Sequence, residues 1–178
     1  TSKIAFQLGD QKLNQYLRNF GLGQKTGIEL PGEAKGTMLP LPWRNHLLSN
    51  ISFGQGVAVT PLQVASAYAT IGSGGVWHQP TILKGTQGVE RRVLRPETSQ
   101  ALRLMLAGVT MNGGTGVNAR VDGFPVAGKT GTAQKAKVDG RGYLSGAYIS
   151  SFAGFLPTGQ PKYAIYIAVD HPKEKAYY

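Results

Sequence analysis

The sequence predicts an α+β fold, an antiparallel sheet packed against helices, on three observations. Near the start of the chain Leu13, Tyr16, Leu17 and Phe20 recur at helical spacing. At Thr60-Pro61-Leu62-Gln63 a capping box with Pro at the first helical position opens another helix. The C-terminal part is rich in aromatic and β-branched runs separated by short turns, as antiparallel strands are.

Taken in order, residues 2–8 and 11–20 read as helices. Ile4 and Leu8 form an i, i+4 pair, Asp10 is placed as N-cap of the second helix, and Gly21-Leu22-Gly23 ends it. Residues 27–43 are interrupted by Pro31-Gly32, Gly36, Pro40 and Pro42, so they read as a loop in which Ile28-Glu29-Leu30 is only a short extended piece. Residues 46–59 read as a partly extended, glycine-punctuated passage. The helix capped by Thr60 carries Leu62, Ala65, Tyr68, Ala69 and Ile71, with Val59 packing on Val64 as a staple, and stops at residues 72–75. Its small residues Ala65, Ser66, Ala67 and Ala69 predict close packing against a neighbouring element. Residues 76–83 and 89–94 read as a hairpin, and Pro96 opens a helix to about residue 110 with Leu102, Met105, Leu106 and Val109 as its buried stripe. Asn112-Gly113-Gly114-Thr115-Gly116 reads as a helix-exit turn, although its Gly pair could cup an anion; residues 117–121 are either helical or extended. Asp122-Gly123 turns the chain into a strand over 126–135. A basic, glycine-rich loop over 136–146 and strands over 147–156 and 163–169 complete an antiparallel three-strand run.

Composition narrows the function. The 178 residues suffice for one real core, and 41% apolar content with 25 Gly and 10 Pro suits a folded, turn-rich unit. No run approaches a membrane-spanning length. The absence of Cys excludes disulfides, thiolate chemistry and cysteine-ligated zinc. His46, His78 and His171 are scattered without acidic neighbours at ligand spacing, so neither a metal nor another cofactor is expected. A formal charge of +10 raises the prospect of an anionic partner. The one compact basic group, Arg91-Arg92 with Arg95, lacks the interleaved aromatics of a nucleic-acid platform and reads as a solvated face.

The stretch V-A-G-K-T-G-T-A-Q-K over residues 126–135 organises the rest. Strand alternation puts Thr130 and Thr132 on one face and Lys129 and Gly131 on the other, which suits a ligand lying along the strand. Taken alone the motif is weak, and an ordinary strand and turn would account for it. It is not a Walker A loop, because the Gly-rich approach and the following helix are both missing.

The combination of motifs resembles the C-terminal half of the transpeptidase domain of class B penicillin-binding proteins, which are related to serine β-lactamases. The resemblance rests on F-G-L-G-Q-K-T-G-I-E-L-P-G-E at residues 20–33, on S-F-G-Q-G-V-A-V-T-P-L-Q-V-A-S-A-Y-A-T-I-G at 52–72, and on G-T-G at 114–116. The stretch at 126–135 and S-S-F-A-G-F-L-P at 150–157 continue it to the final Tyr-Tyr. It implies a partial transpeptidase domain over residues 1–178: a helical region to about 75, a hairpin over about 76–95, a helix over about 96–110 and sheet strands over about 124–170. It also implies an acyl-transfer enzyme, a peptidoglycan D,D-transpeptidase that works through a serine acyl-enzyme and binds β-lactams. Lys129 then resembles the Lys of the K-T-G wall, and Thr130 and Thr132 the hydroxyls that hold a stem-peptide or β-lactam carboxylate. The Thr132 N–H resembles an oxyanion donor, an interaction that contributes about 3 to 4 kcal/mol. Thr130, Gly131, Thr132 and Ala133 become the substrate-binding stretch, and Lys135, Lys137, Arg141 and Tyr143 a possible rim.

The departures carry equal weight. The chain contains no S-x-x-K and no S-x-N, and Thr110-Met111-Asn112 only imitates the latter. The expectation is a piece of a longer enzyme whose nucleophile lies elsewhere, with a degenerate, non-catalytic wall-binding homologue as the other possibility. Either way the isolated segment is expected to be inactive. The resemblance is modestly closer to the cell-division type. It implies stem peptides, a lipid-linked precursor, β-lactams, a division glycosyltransferase and divisome proteins as partners, and no nucleic acid. It also implies a place outside the bacterial cytoplasmic membrane, on an anchor that is not in this segment. A β-lactam sensor or β-lactamase of the same fold is the alternative enzymatic reading.

Overall fold

A computed structural model describes residues 1–137 and 142–173. Its element order is α1 (Ser2–Leu8), α2 (Asp10–Asn19), β1 (Thr37–Met38), α3 (Asn45–Ser52), β2 (Val57–Ala58), α4 (Pro61–Gly72), β3 (Val76–His78) and β4 (Glu90–Arg92). Then come α5 (Pro96–Gly108), a 3-10 turn (Val117–Ala119), β5 (Ala127–Ala136), β6 (Tyr143–Leu156) and β7 (Tyr163–Asp170). The last three strands form an antiparallel sheet in the order β5-β6-β7; β1 with β2 and β3 with β4 make two small antiparallel pairs. The α+β expectation therefore holds.

The helical end is built around Ala5, Trp43, Leu48 and Ile51, with Leu13, Leu17 and Met38 packed against them. Asp10 does not cap α2 as expected. Gly9 takes the capping position, and Asp10 in the first turn uses one carboxylate oxygen to accept from Gln11 N and the other to accept from Trp43 N. The predicted exit at Gly21 is present: its φ of 89° is open to Gly, and the pair Leu22 N to Leu17 O and Gly21 N to Arg18 O is a Schellman closure.

Residues 45–52 overturn the extended reading of 46–59. They form α3, whose Leu48 and Ile51 are buried in the helical core, so tertiary burial outweighs the absence of a capping signal. Ile28-Glu29-Leu30 is not extended either: Leu30 N bonds Ile28 O in a tight turn, and the paired residues of this segment are Thr37 and Met38. The hairpin at 76–94 exists with shorter strands than expected. The stripe assigned to α5 is partly wrong, because Met105 is 70% exposed while Ser99 is fully buried and donates to Ile71 O. The basic loop is also shorter than 136–146, since Tyr143 already belongs to β6 and pairs with Ala136.

The Thr60 capping box is present in both directions, Gln63 N to Thr60 Oγ1 and Thr60 N to Gln63 Oε1. Of the small residues of α4 predicted to pack closely, Ser66 is buried and Ala65 and Ala67 are half-buried, while Ala69 is exposed. At Gly72, a Cβ would lie 3.1 Å from Pro161 and 3.7 Å from the Phe155 ring, so the helix end sits directly on the sheet. That face of the sheet, with Ala127, Ala153 and Phe155 buried, is the second core. On the opposite face of β7, Tyr163, Ile165, Ile167 and Val169 form an exposed apolar stripe.

Candidate functional site

The site is the outer edge of β5. Among the described residues β5 pairs with β6 alone, through Lys129↔Ala153, Gly131↔Ser151 and Thr132↔Ser150. Lys129 Nζ donates to the Thr130 carbonyl at 3.0 Å, so that carbonyl is reachable from the side away from β6. Antiparallel pairing alternates the backbone groups of successive residues, which puts the Thr132 N–H on the same side. Thr132 is exposed and Thr130 half-buried.

Periodicity placed Lys129 on the face opposite Thr130. The structure keeps its Cβ there but carries the long stem round the strand edge, where Nζ donates to Thr130 Oγ1 at 3.0 Å. Amine and hydroxyl thus meet at one spot, because a four-carbon stem reaches past a strand edge with which no other described strand pairs.

A residue outside the strand completes the cluster. Thr115 Oγ1 lies 2.9 Å from Thr130 Oγ1 and 3.4 Å from Lys129 Nζ. The flanking glycines explain its position. A Cβ at Gly114 would collide with the Val109 carbonyl, and one at Gly116 would lie 3.1 Å from the Val109 side chain and 3.3 Å from the Phe152 ring. The loop therefore hugs the end of α5 and presents Thr115 to β5. The same Phe152 ring lies where a Cβ at Gly128 would be, 2.5 Å away, so the Gly before Lys129 is there to admit it. The sequence reading treated residues 112–116 as a turn and did not count Thr115 as a site residue. The available signal was a hydroxyl held between two obligatory small residues.

Gly131 and Ala133 place their side-chain direction on the other face. There Ser151 Oγ comes to 2.8 Å from where a Gly131 Cβ would be, so bulk at Gly131 would displace Ser151. At the rim, Lys135 is engaged by Asp170, with Nζ to Oδ2 at 2.6 Å, and its charge is largely balanced. Lys137 is exposed and Tyr143 stands 40% exposed at the start of β6, while Arg141 lies outside the described residues. A cavity of about 320 Å³ between α4, β3 and β7 competes poorly: its Thr70, Ser73 and Gln79 side chains are spent on the carbonyls of Ser66, Val76 and Gly27.

Chemically, the edge carries one ammonium, the hydroxyls of Thr130 and Thr132, and backbone amides aimed away from β6, with the Thr115 hydroxyl behind Thr130. That donor set suits a carboxylate and an adjacent polarised carbonyl. Among the described residues no group of His, Asp and Glu could hold a metal ion, and no helix is long and apolar enough to cross a membrane.

Comparison with known proteins identifies relatives over nearly the whole chain. The family described as penicillin binding protein transpeptidase domain matches residues 1–178. Stage V sporulation protein D of Bacillus subtilis is 41% identical over 185 residues, covering 96% of this chain and 28% of its own length. Peptidoglycan D,D-transpeptidase FtsI of Escherichia coli is 37% identical over 180 residues, covering 99% of this chain and 30% of its own. The crystal structure of penicillin-binding protein 3 from Mycobacterium tuberculosis complexed with ampicillin superposes with a TM-score of 0.90 at 34% identity, over 96% of this chain and 42% of that one. The chain thus spans about three tenths of the length of the curated relatives it matches.

Proposed function

The chain belongs to the penicillin-binding protein transpeptidase family, and from that premise we propose that it is the K-T-G-T wall of a peptidoglycan D,D-transpeptidase. The observation that carries the reading is the accessible β5 edge, with Lys129 Nζ, Thr130 Oγ1 and Thr115 Oγ1 gathered within 3.4 Å of one another. Lys129 supplies positive charge beside the reacting group. Thr130 and Thr132 donate to the terminal carboxylate of a D-alanyl-D-alanine stem peptide or of a β-lactam. The Thr132 N–H faces the carbonyl oxygen as it gains charge, and Gly131 and Ala133 continue the strand along which the acyl group lies.

The nucleophilic Ser and its base come from another part of a longer protein, since these residues contain no S-x-x-K. The exposed stripe on β7 supports reading residues 1–178 as part of a transpeptidase domain. No cofactor is required for acyl transfer of this kind. Lys137 and Tyr143 form the rim, and Lys129 and Lys137 draw carboxylated stem peptides or anionic glycan to the edge; Lys135, held by Asp170, adds little. The protein acts on the outer side of the bacterial cytoplasmic membrane, held by an anchor outside these residues. Its proposed partners are the lipid-linked precursor, a division glycosyltransferase and divisome proteins. The likeness to FtsI supports the division role.

Labelled penicillin tests the reading. The full-length protein carrying this chain is expected to become covalently labelled and to release the label slowly, whereas the isolated 178-residue chain is expected to take up none. Labelling of the isolated chain would place a nucleophile within it and overturn the assignment. Rapid release from the full-length protein would make it a β-lactamase instead.

A further inference from the structure

Resting on the carboxylate-binding reading above, the geometry points to Thr115 as a positioning residue that sets the direction of the Thr130 hydroxyl proton without touching the ligand. A hydroxyl has one proton and two lone pairs, and an ammonium can only donate. At 3.0 Å, Lys129 Nζ therefore fills one lone pair of Thr130 Oγ1. The 2.9 Å contact between Thr115 and Thr130 can run either way. If Thr130 donates to Thr115, its proton is consumed inside the cluster. If Thr115 donates to Thr130, both lone pairs of Thr130 are filled, and its proton has nowhere to go but outward.

A carboxylate at the strand edge only accepts, so it selects the second arrangement. The result is a directed chain from the Thr115 hydroxyl to the Thr130 hydroxyl to the carboxylate, each bond polarising the next. Thr115 is held for this by backbone packing rather than by its own side chain, because Gly114 and Gly116 press against Val109 and Phe152. Its methyl-bearing, β-branched side chain has few rotamers, which fixes the oxygen further.

The test uses the full-length protein, benzylpenicillin and the neutral methyl ester of benzylpenicillin, with the second-order acylation rate as readout. Thr115→Val is expected to slow benzylpenicillin by about three- to tenfold, the worth of one neutral hydrogen bond, and to leave the ester within about twofold. Thr115→Ser, which restores the hydroxyl, is expected to return the rate to within about twofold of the unaltered protein. In a Thr130→Val background, Thr115→Val is expected to cost less than twofold, since its short contact is gone and only the longer 3.4 Å contact with Lys129 remains. Should the Val variant fail to fold, Thr115→Ala carries the same comparison.

Equal slowing on both ligands, no slowing on either, no rescue by Ser, or a further loss of threefold or more in the Thr130→Val background would each overturn the role, the last by showing that Thr115 acts by a route other than Thr130. Failure of the unaltered full-length protein to react with benzylpenicillin would overturn the functional reading and this inference with it. Normal reaction together with an indifferent Thr115→Val overturns this inference alone.

Discussion

Gln63 and Lys129 both end in nitrogen donors, and their surroundings are opposites. Gln63 is fully buried, and each polar group of its side chain has a partner inside the protein: Nε2 donates to Gln24 O at 2.6 Å and Lys35 O at 3.0 Å, and Oε1 accepts from Thr60 N. Lys129 is exposed and gathers its partners at a strand edge, on atoms that a ligand could also reach. A satisfied buried amide welds the loop at residues 24–36 to α4 and contributes to stability. An exposed ammonium beside two hydroxyls adds little to stability and leaves the edge polarised toward an anion. The molecule thus separates the polar groups that hold it together from those offered to a substrate.

The contrast can be broken in three ways, the first with the largest effect. Lys129→Ala in the full-length protein is expected to slow acylation by benzylpenicillin about a hundred- to a thousandfold, in the range of losing a preorganised electrostatic donor. Its melting temperature should stay put, and a large fall would mean that Lys129 belongs with the structural group. Gln63→Ala should do the reverse. Leaving Gln24 O, Lys35 O and Thr60 N without their partner is expected to cost about 3 kcal/mol in denaturant unfolding, with the acylation rate of the folded fraction unchanged. A slowed rate at full stability would move Gln63 into the site.

The smallest effect sharpens the comparison through pH. Glu33 accepts from Thr26 Oγ1 and Thr26 N, both at 2.6 Å, and from Gly27 N at 3.1 Å. The Thr26 hydroxyl bond is the chief cause that holds its carboxyl below the usual glutamate range. A depressed folded-state pKa means that this contribution is fully present above the ordinary glutamate value and is lost as pH falls through the folded value. Urea unfolding followed from neutral into acid pH should show that loss in the native protein and a flatter acid limb in Glu33→Gln. An identical acid limb in both would remove Glu33 from the structural set.

Much of this was legible in the chain itself, for local reasons. The capping box at Thr60 and Gln63, the glycine exit at Gly21 and the antiparallel order of the last three strands all depend on residues close together in sequence. What escaped depended on distance. α3 forms because Leu48 and Ile51 are needed in a core with Ala5 and Trp43, and nothing between residues 45 and 52 announces that. Met105 has helical spacing with its neighbours, yet α5 turns that position outward. Asp10 looks like a cap, but it is drawn instead to the backbone of Trp43.

The same division runs through the site. Sequence alone determined the strand that carries Lys129, Thr130 and Thr132, because β-branched residues around a Gly in a short apolar approach favour a pleated edge. Only the tertiary structure decided that the amine would bend round that edge to the face of Thr130, that Asp170 would engage Lys135, and that Thr115 would arrive from another loop to join them. The reason is physical: alternation fixes where each Cβ starts, while the reach of a long side chain and the approach of a glycine-flanked loop depend on which surfaces are free, and that is known only once the chain has packed.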